Sequence, residues 1–292
     1  MSVNKFIRDP SWATLVGVLV AAMVVSFIVF VHSGEAAPQA VDEQTSYSPM
    51  IVGGTAVPNG KYPFIAALLD TTRPGGAFNE QFCGGTLIDK DSVLTAAHCL
   101  VNPKRDKLQV VVGRTALNQN RGQLRSVSRR FIHPRYNGNG YDAAVLKLRR
   151  PVKGINPIKL ATAKQNNLEK PGHILTAAGW GVMKQRIVRP DIYPTRMHEV
   201  SVPVVSDSRA KRAYQSEGLK YLPSLHVAAG KKGKGPCFGD SGGPLFDSGS
   251  PTQVGIVSYA VQRCAALPRF PEVFTEVNNP EIRNFILAAA KR

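Results

Sequence analysis

Apolar residues are distributed along this 292-residue chain in two different ways. From Trp12 to Val31 they form a nearly continuous uncharged run, with Lys5 and Arg8 just before it. From Ile51 onward they fall into short runs separated by Gly, Pro and Asn: Phe64–Leu69, Gly85–Ile88, Val93–Ala96, Leu108–Val112, Ala143–Leu148, Ile174–Ala178, Val200–Val205 and Gln253–Ser258. Short runs bounded by turn formers predict strands, and their succession predicts an all-β barrel or sandwich without βαβ alternation. Helical spacing is confined to a weak stretch at Asp207–Gln215 and to Pro280–Ala290, where Ile282, Phe285 and Ile286 share a face.

The long run matches a membrane-spanning helix, which needs about 20 apolar residues, better than the ~7–15 of a secretory signal. Gly34-Glu35-Ala36 nevertheless offers a small-x-small cleavage site. Residues 1–35 therefore read as a signal peptide or a signal anchor with its membrane segment at 11–31. In both cases the positive flank stays inside and the remainder is exported, to a secreted or anchored extracellular location. Residues 36–50 are polar, contain Pro and lack apolar periodicity, so they read as a linker or pro-segment. The folded domain is expected over 51–292.

With 43% hydrophobic and 20% charged residues the chain can bury a substantial core, which excludes disorder as the default. The net charge of +17 predicts attraction to anionic polymers, cell walls or membranes, or a solvated basic surface without a specific partner, and is silent about the fold. Cys83, Cys99, Cys237 and Cys264 form an even set that can pair in three ways in an oxidising compartment.

Three segments carry candidate chemistry. Gly239-Asp240-Ser241-Gly242-Gly243-Pro244 sets a hydroxyl where the backbone can bend sharply and leave it and nearby N–H groups unobstructed, as an acyl-transfer nucleophile requires. Alone, it is also a Gly-rich turn. Thr95-Ala96-Ala97-His98-Cys99 puts a histidine directly after a β-type run, where a hydrogen-bonded core histidine would also fit. Asp142 stands at the mouth of the apolar run Ala143–Leu148, where it needs a buried partner or caps the surface.

Together with Ile51-Val52-Gly53-Gly54, Gly179-Trp180-Gly181 and Ser258-Tyr259, these segments resemble, in order and approximate spacing, the trypsin- and chymotrypsin-like serine peptidases. The resemblance covers essentially everything after residue 50. It implies two six-stranded antiparallel β-barrels with a C-terminal α-helix, and a serine endopeptidase acting on proteins or peptides without a cofactor or metal. It further implies a triad of Ser241, His98 and Asp142, oxyanion donors at Gly239 and Ser241, and disulfides Cys83–Cys99 and Cys237–Cys264. A cut before Ile51 would free an ammonium to pair with Asp240. Met50 replaces the Arg or Lys common before that cut, so activation is expected from another protease, of unknown identity, or from cleavage elsewhere followed by trimming. The competing reading is a catalytically silent homologue that uses its basic surface for binding.

Two departures bear on specificity and metals. Gly235 stands where trypsins carry the aspartate at the base of the pocket, and Glu272 stands on the pocket wall, which resembles cathepsin G. With Ser258, Tyr259 and Ala260 lining the entrance, this implies cleavage after Lys or Arg and after large apolar residues. The Arg-rich loop expected between Gly113 and Arg130 has no acidic residue, so the calcium loop of trypsins is not carried over. Lys231-Lys232-Gly233-Lys234 reads as a solvated basic loop or a polyanion contact.

Overall fold

Strand alternation and turn chemistry beyond Ile51 produce fourteen strands and three α-helices among the described residues. The computed structural model describes residues 51–102, 107–182, 193–261, 264–265 and 270–292. The signal, anchor and linker readings for residues 1–50 lie outside the described residues. Among the described residues no helix is long and apolar enough to cross a membrane.

In chain order the elements are β1 Thr55–Ala56, β2 Ile65–Asp70, α1 Gly76–Glu80, β3 Gln81–Leu87, β4 Ser92–Thr95, β5 Leu108–Val112, β6 Gln123–Ile132, β7 Ala144–Leu148 and β8 Lys159–Leu160. They continue with β9 Ile174–Gly179, β10 His198–Val205, α2 Asp207–Gln215, β11 His226–Ala229, β12 Pro244–Asp247, β13 Thr252–Tyr259, β14 Glu272–Glu276 and α3 Pro280–Ala290. Strands β2-β3-β4-β7-β6-β5 close into one antiparallel barrel through the β5–β2 pairing. Strands β10-β11-β14-β13-β12-β9 close into a second through β9–β10. The pair β1–β10 and the parallel pair β8–β13 lie outside these rings.

Closure removes the sheet edges and turns one face of every strand inward. Leu68, Leu87, Leu94, Val110 and Leu146 are fully buried in the first barrel, and Leu175, Val202, Leu245 and Phe274 in the second. Each such side chain contributes about 1.5–3 kcal/mol on removal from water. Between the barrels, the Phe246 ring on β12 meets Tyr62 and Phe64 edge-on, at centroid distances of 5.0 and 5.6 Å. The buried Thr86 hydroxyl on β3 donates to Gln253 Oε1 on β13 at 2.6 Å. These contacts fix one barrel on the other, and the site is built along that seam.

Helix α3 begins as its sequence dictates: Asn279 Oδ1 accepts the N–H groups of Glu281 and Ile282 at 3.0 Å each, and Pro280 occupies the first turn. The buried Lys147 ammonium on β7 donates to the Ala290 carbonyl at 2.6 Å and pairs with Asp91 at 2.8 Å. The chain thus ends docked on the first barrel.

The main difference from expectation is β6. Residues 123–130 read as part of an Arg-rich loop, yet they lie in a strand, Gln123–Ile132, that pairs with both β5 and β7. Their side chains are exposed or only partly buried, so polar residues satisfy a strand whose stability comes from its two neighbours.

Candidate active site

Strand register brings the histidine and the acid together. Thr95 on β4 lies opposite Ala144 on β7, so the residues just after β4 and just before β7 emerge at the same end of the barrel. His98 sits there in a single 3₁₀ turn, Ala97–Cys99. Asp142 Oδ1 accepts the His98 backbone N–H at 2.9 Å, and Oδ2 lies 2.7 Å from ring Nδ1. Ser258, from β13 of the other barrel, donates its hydroxyl to the same Oδ2 at 2.6 Å. Burial pushes the Asp142 carboxyl upward, but the hydrogen bonds and charge interaction from His98, aided by Ser258, outweigh it and hold the pKa below the usual carboxylate range. The preceding Tyr141 has φ 55°, a strained conformation for a bulky residue. Its ring stacks on His133 at 4.7 Å, and its hydroxyl donates to Glu281 Oε2 at 3.0 Å.

Ser241 lies on a turn between β11 and β12. Gly239 and Gly242 take φ 97° and 80°, and a Cβ at Gly242 would lie 2.2 Å from Thr95 Oγ1. The turn can therefore press against the first barrel only with glycine there. The Ser241 carbonyl accepts Gly84 N–H at 2.7 Å, and Gly242 N–H donates to Val257 at 2.8 Å. Gln81 Nε2 donates to the Gly239 carbonyl at 2.8 Å. The Gly239 and Ser241 N–H groups have no protein acceptor among the described residues. No hydrogen bond joins Ser241 Oγ to His98 Nε2 among them; such bonds are often long before substrate binds. Both disulfides, Cys83–Cys99 and Cys237–Cys264, are formed, one beside His98 and the other beside the serine turn.

Asp240 is buried under that turn, accepting Gly181 N–H at 2.7 Å and Cys237 N–H at 2.9 Å. Burial pushes its pKa up to about 7. A Cβ on Gly179 or Gly181 would come within 2.3 or 2.2 Å of its carboxylate oxygens, which explains the Gly-Trp-Gly motif sterically. Ile51 is fully buried, and Val52 packs beside Val182 and Cys237. The Val52 carbonyl accepts Gly235 N–H at 3.1 Å.

A pocket of about 210 Å³ opens beside Ser241, walled by Ser258, Tyr259, Ala260 and the Cys237–Cys264 bridge. Glu272 lines it at 3% exposure. Its Oε1 accepts the N–H of Ala265, itself held at φ 55°, while Oε2 is buried without a hydrogen-bond partner among the described residues. Burial pushes the Glu272 pKa up to about 8. A Cβ on Gly235 would lie 2.7 Å from Glu272 Cδ, so the bare glycine makes room for the wall acid.

The model of the family described as Trypsin matches residues 51–286. This chain belongs to the trypsin family. It is a serine endopeptidase, with two closed six-stranded barrels and two disulfides. It is 36% identical over 231 residues to a trypsin of Saccharopolyspora erythraea, covering 78% of this chain and 93% of that protein. Serine protease 28 of Mus musculus is 32% identical over 241 residues, covering 78% and 85%. Among solved structures, neuropsin, a serine protease of mouse brain, superposes with TM-score 0.65 and 28% identity over 77% of this chain and 94% of its own.

Within this trypsin-family fold the sequence-predicted residues converge on the barrel seam, with Ile51 and Asp240 buried behind it. Sequence reasoning passed over Phe238, which is 56% exposed and lines the pocket; its position directly before Gly239 was the available signal. It also missed Gln81, whose hold on Gly239 depends on a contact across 158 positions.

Proposed function

We propose that the protein is an exported serine endopeptidase in which Ser241 attacks the scissile carbonyl and His98 takes its proton, later giving it to the leaving amine. Asp142 holds the imidazole in the tautomer that leaves Nε2 free to accept, and stabilises the cation that follows. This division of labour is the family's established chemistry carried onto the matching residues. The observation that carries it is the double contact of Asp142 with the His98 ring and backbone, at the strand ends against which the Ser241 turn is wedged. The unsatisfied N–H groups of Gly239 and Ser241 are the oxyanion donors.

Substrate lies as an extended strand along Ser258, Tyr259 and Ala260, with its specificity side chain in the pocket. The buried Glu272 oxygen without a partner supports acceptance of Lys and Arg, and the apolar walls support large apolar residues. Cleavage of a peptide library by protein processed to begin at Ile51 tests this. A profile without any basic preference would refute the role of Glu272.

Residues 1–35 act as signal or anchor, contacting the membrane through 11–31 if uncleaved, and 36–50 form a linker or pro-segment. The two disulfides support an oxidising, extracytoplasmic location. Cleavage before Ile51 by another protease, as Met50 suggests, gives Asp240 its counter-charge. In the uncleaved chain the Asp240 pKa is raised from 3.8 to about 7, so folding loses stability as pH rises through that interval. A free Ile51 ammonium reverses the loss. The Tm of cleaved over uncleaved protein is expected to be nearly equal near pH 4 and to separate by several degrees by pH 7; a pH-independent difference would exclude the pairing.

A further inference from the structure

A recess of about 520 Å³ opens on the second barrel and shares no lining residue with the pocket beside Ser241. It is floored by the β10 residues Ser201 and Pro203 and flanked by Arg209 of α2 with Lys231, Lys232 and Lys234. The three lysines stand on one tight turn: Lys231 and Lys234 exchange backbone hydrogen bonds at 3.2 and 2.8 Å, with Gly233 at φ 70°. Two outside contacts hold that turn in place. Gly230 N–H donates to Pro203 at 3.0 Å, and Gly233 N–H donates to Ala265 at 3.2 Å.

The lysines are exposed, and among the described residues none of them forms an ion pair and no acidic side chain lines the recess. Four cations around an acid-free hollow, on a chain of net charge +17, concentrate anions there. A compact ester group with several acceptor oxygens can meet two or three of these cations at once. An acidic peptide brings one carboxylate per residue along a longer span. We propose that this recess binds a polyanion bearing sulfate or phosphate esters and tethers the protease to it with the pocket left open. This site is independent of the roles assigned to His98, Asp142 and Ser241.

The test titrates the full chain with fluorescent dextran sulfate and with fluorescent dextran phosphate between about 50 and about 200 mM salt, with polyglutamate as comparison. The wild type is expected to bind both ester polymers at least tenfold more tightly than polyglutamate. Combined Arg209→Ala, Lys231→Ala and Lys232→Ala should weaken that binding by about tenfold or more and lower the salt slope by about 2–3. Lys234 is kept because its stem lies against Gly53. A control with Arg121→Ala, Arg149→Ala and Arg150→Ala, exposed positions on the first barrel, removes the same charge and should leave affinity within about twofold. Lys231→Arg with Lys232→Arg should retain binding, and unchanged Tm certifies folding of every variant. Equal losses in the recess variant and the control, polyglutamate binding as tightly as the esters, or no binding by the wild type would each overturn the proposal.

Discussion

Ser241→Ala and His98→Ala are each expected to abolish peptide hydrolysis by protein cleaved before Ile51, with kcat falling by about 10⁶-fold, a magnitude carried over from other serine peptidase triads. Removing the hydroxyl removes the nucleophile. Removing the imidazole leaves the hydroxyl without a base, so either loss disables the same step. The double variant should therefore be little worse than either single one. A residual rate above water is expected to survive through the Gly239 and Ser241 N–H groups proposed as oxyanion donors. Asp142→Asn should cost less, about 10⁴-fold, because it offers His98 Nδ1 the wrong partner while keeping the shape. Labelling by a fluorophosphonate probe provides a second readout: Ser241→Ala must lose it entirely. Substantial hydrolysis by the serine variant, or labelling of some other residue, would remove Ser241 from the mechanism.

The fold class and the candidate site residues were legible in the sequence, and the contacts between distant segments were not. His98, Asp142 and Ser241 each sit in a short segment whose local requirement is visible: a turn after a strand, an acid entering a buried run, a serine between glycines. Strands with apolar inward faces, such as Leu108–Val112, were equally plain. β6 was not, because its Arg and Ser side chains stay near solvent and its order comes from pairing with β5 and β7. The short strand Pro244–Asp247 was hidden for a different reason: its side chains are mostly buried, but so short an apolar run was overshadowed by the glycines before it. Contacts between distant segments left no local trace. Ser258 touches Asp142 across 116 positions, and the reason for Gly179 and Gly181 becomes apparent only when the Asp240 carboxylate is found against both.

Glu272→Gln is expected to lower kcat/KM for Lys and Arg substrates by about 10²–10³-fold while changing that for Phe, Tyr or Leu substrates by less than about threefold. The carboxyl is buried and accepts the Ala265 N–H, and burial raises its pKa to about 8. A substrate cation supplies the missing partner for Oε2 and favours the ionised form; glutamine, of the same size and neutral, leaves that cation buried alone. The pH dependence follows in sign. For basic substrates kcat/KM should rise through about pH 8 as the free enzyme's Glu272 ionises, and for apolar ones it should decline there as a charge appears in the pocket. Glu272→Gln removes both trends. Stability moves oppositely: a folded pKa raised from 4.5 to about 8 costs the wild type stability as pH rises across that interval, so the variant should match it near pH 4 and exceed it at pH 9. Gly235→Ala probes the same group from the other side. Its methyl would stand 2.7 Å from Glu272 Cδ, displacing the carboxyl and lowering cleavage after Lys and Arg without touching the triad. Basic substrates cleaved at the wild-type rate by Glu272→Gln, with the pH trend intact, would show that specificity is set elsewhere.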